Sequence, residues 1–250
     1  MKQLKIAIAL MLVGGLLTTA AFFMAFFTAE VQSFGEVSFE QAIETAFPAR
    51  GMTADGLNVY GRPWFSQKIF YFHVPVAEAS FLVLLISAFF GVRFLMTRKR
   101  AYDTKSRIAM ETALVFVVLT MITGDLWTKA SWGVWWEWEP RLTTYFIMML
   151  LMIAYFVLRN SIEDEERRAV YAGAFSVLAA INAPISFMIT RLIPSSHPVV
   201  FQSGMATSNL APFIIGQVGM LMVGYAIYTI RMSEERLAER LDEAKEALEG

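Results

Sequence analysis

The sequence predicts an all-α integral membrane protein with six transmembrane helices, and three observations carry that prediction. Of 250 residues, 56% are apolar and only 17% are charged, against about 45–50% and about 25% in an average soluble domain. Six stretches, at residues 4–27, 69–96, 108–127, 142–158, 169–189 and 210–230, approach the roughly 20 apolar residues that a membrane-crossing helix needs. None of them alternates with period two, and a bilayer admits only helices and closed barrels because backbone polar groups must be satisfied internally. The chain reads as one membrane domain over 1–250, with a Trp-rich loop at 128–141 and a charged tail at 233–250.

The first stretch follows Lys2 and Lys5 as a signal peptide would. It is longer than the roughly 7–15 apolar residues of a signal core, so it reads as a retained span. With the N-terminus inside, 15 of the 21 Lys and Arg fall on the inner side. The six outside are Arg50, Arg62, Lys68, Lys129, Arg141 and Arg191. That bias predicts both termini in the cytoplasm and the Trp-rich loop outside. In the first outer segment, Ser38 and Gln41 have capping-box spacing ahead of Phe39, Ala42, Ile43, Ala46 and Phe47. This predicts a short amphipathic helix on the membrane, on a partner or on the protein's own spans. In the inner tail, Leu237, Leu241, Ala244 and Leu248 recur at helical spacing.

The net charge of −1 and the lack of a basic block argue against nucleic acid as a partner. Zero cysteines exclude disulfides, thiolate ligands and a CxxCH haem attachment within the chain. Only two histidines exist, His73 in Tyr71-Phe72-His73-Val74-Pro75 and His197 in Pro194-Ser195-Ser196-His197-Pro198, and both fall on the outer side. A histidine near a membrane interface often serves only as a polar cap. Two imidazoles on one side, however, match the axial positions of a haem iron.

Of six tryptophans, five lie between 127 and 138: Trp127, Trp132, Trp135, Trp136 and Trp138; the sixth is Trp64. An interfacial belt is the bland reading. Concentration in one loop favours a flat apolar platform for a large planar ligand, with Trp132, Trp135 and Trp136 on one face if that stretch is helical. Within spans, Glu78, Asp125 and Asn182 are polar, a costly choice that often marks function. Asn182 beside Pro184 also reads as repair of the backbone at a kink.

The run Trp132-Gly133-Val134-Trp135-Trp136-Glu137-Trp138-Glu139-Pro140-Arg141-Leu142-Thr143 resembles the WWD signature, WGxWWxWDxRLT, of the haem-handling proteins of cytochrome c maturation. Its Arg-Leu-Thr ending is most similar to the haem exporter protein C (CcmC) family of the multicomponent system I pathway. Phe72-His73-Val74-Pro75 resembles that family's first histidine motif, and Ile181-Asn182-Ala183-Pro184-Ile185 its fifth span. The resemblance runs from about Ile69 to Ile230. Glu139 stands where the signature has aspartate, and Pro198 where the family has glutamine after its second histidine.

The resemblance implies His73 and His197 as axial ligands of a non-covalent haem b. It implies Trp132, Trp135, Trp136 and Trp138 as the platform, with Arg141 and Glu139 at the propionate and loop edge. Lys129, Arg62, Lys68 and Arg191 are further cations for a propionate, or simple headgroup anchors. It also implies a bacterial inner-membrane protein that is not an enzyme and that holds haem at the periplasmic face. The implied partners are a CcmE-like periplasmic haem chaperone, CcmA/CcmB-like transporter subunits and a small CcmD-like membrane subunit. No GxxxxGK[ST] loop is present, so ATP use falls to a partner. The alternatives are a cytochrome c haem lyase or synthase component, whose relatives carry more histidines, and an electron-transfer cytochrome b, whose ligands lie within the bilayer. A plain permease subunit lacks a use for the Trp cluster.

Overall fold

The computed structural model describes residues 2–29, 50–52, 58–60, 68–193, 197 and 207–249. The expected amphipathic helix at 38–47, Arg62, Trp64 and the neighbours of His197 lie outside these residues. Six helices dominate: α1 (Lys2–Thr28), α2 (Phe70–Thr97), α3 (Arg100–Trp132), α4 (Pro140–Ser161), α5 (Glu165–Leu192) and α6 (Thr207–Glu249). Each contains a window long and apolar enough to cross a membrane. Between α1 and α2, β1 (Arg50–Met52) and β2 (Asn58–Tyr60) form an antiparallel ribbon with Gly51 opposite Val59.

The turns follow from their residues. Arg98 adopts φ 57° after α2, and its N–H closes on the Phe94 carbonyl, so α3 turns back within two residues. Gly133, at φ 76°, ends α3 in the left-handed region that glycine adopts without a Cβ penalty. Pro140 opens α4, and Asp164 caps α5 by accepting from the Arg167 N–H.

Helix α2 sits at the centre, packing on α3, α5 and α6, while α1 rests mainly on α6. Lipid is as apolar as leucine, so close backbone approach at small residues does much of the joining. Gly91 of α2 meets Gly173 of α5, where a Cβ would lie 3.0 Å from the Gly173 carbonyl oxygen. Gly14 of α1 meets Gly219 of α6, where a Cβ would lie 2.7 Å from that carbonyl. Large apolar residues such as Leu12, Leu16, Phe89 and Val157 face outward, as a lipid-facing surface requires. Asn182 does not mend its own helix beside Pro184: its amide donates across to the Thr144 carbonyl of α4, at 2.6 Å. An interhelical acceptor satisfies the amide within the span.

The two ends of the bundle differ in chemistry. At one end, Arg159 grips Asp103 through both guanidinium nitrogens, at 2.6 and 3.0 Å. Beside it, Arg107 bonds Glu111 and Glu235, and Arg231 bonds Glu111, tying α3 to α6. The other end gathers the start of α2, the end of α3, the start of α4 and His197.

Candidate functional site

At that second end, α2, α3 and α4 enclose a cavity of about 70 Å³ that both histidines line. His73 is the fourth residue of α2, and Pro75, two residues on, lies inside the helix, where it leaves the Tyr71 carbonyl without its helical N–H partner. It is buried, and its Nδ1 lies 2.9 Å from the Thr123 hydroxyl of α3. Gly124 leaves room for the ring: a Cβ there would come within 3.2 Å of His73 Cε1. The Trp127 indole meets both imidazoles edge-on, with centroids 5.6 Å from His73 and 6.4 Å from His197.

The cavity wall of α3 comes from Thr120, Gly124, Trp127, Thr128 and Ser131, one helical face at spacings of three and four. That run of small and polar residues along an otherwise apolar span was the available signal for Gly124, which the motif does not single out. Tyr145 joins the wall from α4 and shares a 2.6 Å hydrogen bond with Ser80 of α2.

The expected Trp platform divides. Trp132 and Trp136 line the cavity, and the buried indole N–H of Trp136 has no hydrogen-bond partner among the described residues. Trp135 and Trp138 do not line it, being 59% and 72% exposed. The cause is Gly133: its left-handed turn ends the helix at Trp132, so the face that would join Trp132, Trp135 and Trp136 never forms. Lys129 then lies over the Trp135 ring at 5.8 Å and donates to the Gly133 carbonyl. Trp136, Trp138 and Phe146 make an edge-to-face cluster with centroids 5.4–6.3 Å apart.

Among the charged residues, Arg141 and Asp125 line the cavity, and the Arg141 guanidinium lies 6.0 Å from the Phe187 ring. Arg191 lies over the same ring at 4.7 Å, so two cations share one aromatic at the cavity edge. The charges of Glu139 and Glu78 act on Arg141 from nearby. Glu139 is buried and serves as the N-cap of α4, its Oε1 accepting from the Leu142 N–H at 2.6 Å. Lys68 turns away from the cavity. It is buried and donates to the carbonyls of Ala25, at 2.7 Å, and Ala29, closing the end of α1. Burial pulls its pKa below the ordinary lysine value.

The donor set suits a metalloporphyrin: two imidazoles, an apolar aromatic wall, a buried indole donor and a paired cationic edge. The enclosed room does not. A void of about 70 Å³ is far below the roughly 300–1,000 Å³ of pockets that hold larger ligands, and the Trp127 ring occupies the flank of both histidines.

Comparison with known proteins agrees with the motif. The profile of the Heme exporter protein C family matches residues 64–247, leaving α1 outside the match. Heme exporter protein C of Bradyrhizobium diazoefficiens is 28% identical over 179 residues, covering 70% of this chain and 68% of that protein. Heme exporter protein C of Escherichia coli (strain K12) is 31% identical over 123 residues, covering 48% and 49%. A putative cytochrome c biosynthesis ccmC-like mitochondrial protein of Marchantia polymorpha is 32% identical over 120 residues, covering 48% and 50%. The chain thus spans about half the length of several relatives and about two thirds of the first. With most of its length matched by one profile, and with the Trp-rich run and both histidines inside the matched range, the chain belongs to the Heme exporter protein C family.

Proposed function

We propose that this chain is a haem-handling component of cytochrome c maturation that holds haem b non-covalently between His73 and His197. It releases the haem to a CcmE-like chaperone at the periplasmic face of the bacterial inner membrane. The observation that carries this reading is that the only two histidines of the chain line one cavity beside Trp132, Trp136 and Arg141. Haem is cargo here, not a catalytic group, and no residue is assigned a catalytic step. In this reading Trp127 moves aside to admit the macrocycle, and Arg141 with Arg191 receives its two propionates in charge-assisted pairs. Trp135 and Trp138, exposed at the same end, face the lipid headgroups or the incoming chaperone. CcmA/CcmB-like subunits supply the ATP-driven step, and a CcmD-like subunit completes the complex.

The test is the visible spectrum of the purified full chain loaded with haem, oxidised and reduced. Bis-imidazole iron gives a low-spin spectrum. His73→Ala and His197→Ala each open one axial position, shift the spin state and weaken retention, and added imidazole partly restores both. Wild-type occupancy and an unchanged low-spin spectrum in both variants would falsify the ligand assignment.

A further inference from the structure

We propose that Thr123 is the positioning residue of His73: it holds the ring as the Nδ1–H tautomer and leaves Nε2 as the lone pair offered to a ligand. This rests on the haem-binding reading above for its purpose, though not for its geometry.

The Thr123 hydroxyl has three neighbours. His73 Nδ1 lies at 2.9 Å, the Leu119 carbonyl oxygen at 2.8 Å and the Thr120 carbonyl oxygen at 3.2 Å. A hydroxyl carries one proton and two lone pairs, and a neutral imidazole carries one donor and one acceptor. If the hydroxyl donates back to a carbonyl of its own helix, it can only accept from the ring. The Nδ1–H then donates to Oγ1, Oγ1–H donates to the carbonyl, and both bonds are made. If the hydroxyl instead donates to Nδ1, its carbonyl bond is lost and the ring proton moves to Nε2. One hydrogen bond is made where two were available. Thr123 is only partly buried by protein, but it lies within a span apolar enough to cross a membrane, where the low dielectric favours the two-bond chain: its members polarise one another and the alternative forfeits a bond.

The surroundings fix the same orientation independently. Gly124 presents no Cβ, so His73 Cε1 packs against the helix backbone at a distance that an alanine would narrow to 3.2 Å. Trp127, one turn further along α3, closes against the ring edge-on. Three residues of one α3 face therefore seat the imidazole by hydrogen bond, by clearance and by ring contact. A ligating histidine whose other nitrogen donates to a fixed acceptor is better oriented and more basic at the ligating atom. Loss of such a partner typically lowers metal affinity about 10- to 100-fold.

The experiment uses the full chain in detergent micelles, labelled with ¹⁵N-histidine. With only two histidines, His197→Ala leaves a single imidazole, and its nitrogen shifts report which nitrogen carries the proton. The expected result is Nδ1–H for His73 with Thr123 intact, a mixed or Nε2–H ring in Thr123→Val, and recovery of Nδ1–H in Thr123→Ser. In the chain that retains His197, Thr123→Val should weaken haem retention about 10- to 100-fold and shift the iron reduction potential, and Thr123→Ser should restore both. A proton on Nε2 with Thr123 intact overturns the proposal, and that measurement needs no variant at Thr123. So does a Thr123→Val protein that changes the tautomer but neither retention nor potential. Should His73→Ala keep its haem while the tautomer responds to Thr123 as expected, the ligand reading fails and the Thr123–His73 pairing stands.

Discussion

Glu139 stands at the aspartate position of the Trp-rich motif, and its carboxylate is engaged by the helix that follows. One oxygen accepts from the Leu142 N–H at the start of α4, so the side chain anchors the last residues of the loop that carries Trp136 and Trp138. Glu139→Ala removes a cap worth about 1 kcal/mol and should lower the thermal midpoint of the haem-free chain in detergent. Glu139→Asp should keep most of that stability, since aspartate is itself a good cap. A midpoint unchanged in Glu139→Ala would show that the cap contributes nothing. Trp127 makes a different prediction. Its indole touches both imidazoles, so Trp127→Ala should speed haem uptake in stopped-flow mixing, with a low-spin end state. Uptake slower than wild type would mean that Trp127 helps hold haem rather than standing in its way. At this scale the motif marked His73, His197, Trp132, Trp136 and Arg141, and all five line the cavity. It could not separate Trp135 and Trp138 from the others, because that separation depends on the backbone angle of Gly133. Trp127 and Thr123 were hidden for another reason: their significance lies in what α2 places opposite them.

Among the helices, the connection that the sequence concealed is Lys68. From sequence it is one more outer cation. In the fold its ammonium is spent on two backbone carbonyls at the end of α1, those of Ala25 and Ala29. Lys68→Met would leave those buried acceptors unsatisfied, at a cost of about 1–3 kcal/mol each. The expected outcome is easier protease cleavage between α1 and α2 and a lower thermal midpoint, with Lys68→Arg milder. Wild-type resistance to protease in Lys68→Met would show that the pairing does not hold α1. The six helices themselves were readable, because each needed only length and apolarity. Their ends were less so. Thr128, Lys129 and Ser131 look like loop residues, yet α3 continues through them to Trp132. Thr128 and Ser131 face the cavity, so polar side chains there serve the pocket rather than end the helix.

Taken whole, the molecule carries its buried ion pairs at the end opposite the cavity. The Arg159–Asp103 pair has side chains only 10% and 12% exposed. Removing one partner of such a pair strands the other, at about 3–5 kcal/mol. Arg159→Met should therefore depress the thermal midpoint far more than Arg98→Met, whose contact with Glu166 is a long surface pair at 3.7 Å. Equal effects would contradict the burial argument. The same end holds most of the Lys and Arg, so reporters active only outside the cytoplasm should work after Ser131 and stay silent after Thr104. Activity after Thr104 would reverse the orientation and put the cavity on the cytoplasmic side.

The pairing of the first helix with the last sets an order of events during synthesis. Helix α1 leaves the ribosome first, but its main neighbour α6 is made roughly 180 residues later, about 10–40 s at ordinary elongation rates. Throughout that interval α1 must survive in the bilayer with little protein to lean on, and it is the most apolar of the six by composition. Helices α2 to α5 can meanwhile pack on one another and bring His73 against Thr123 before the bundle is closed. The close fit of Gly14 against Gly219 is then a late latch. A bulky residue at either position would trap a chain whose pocket half is already built and whose first helix has nowhere to dock.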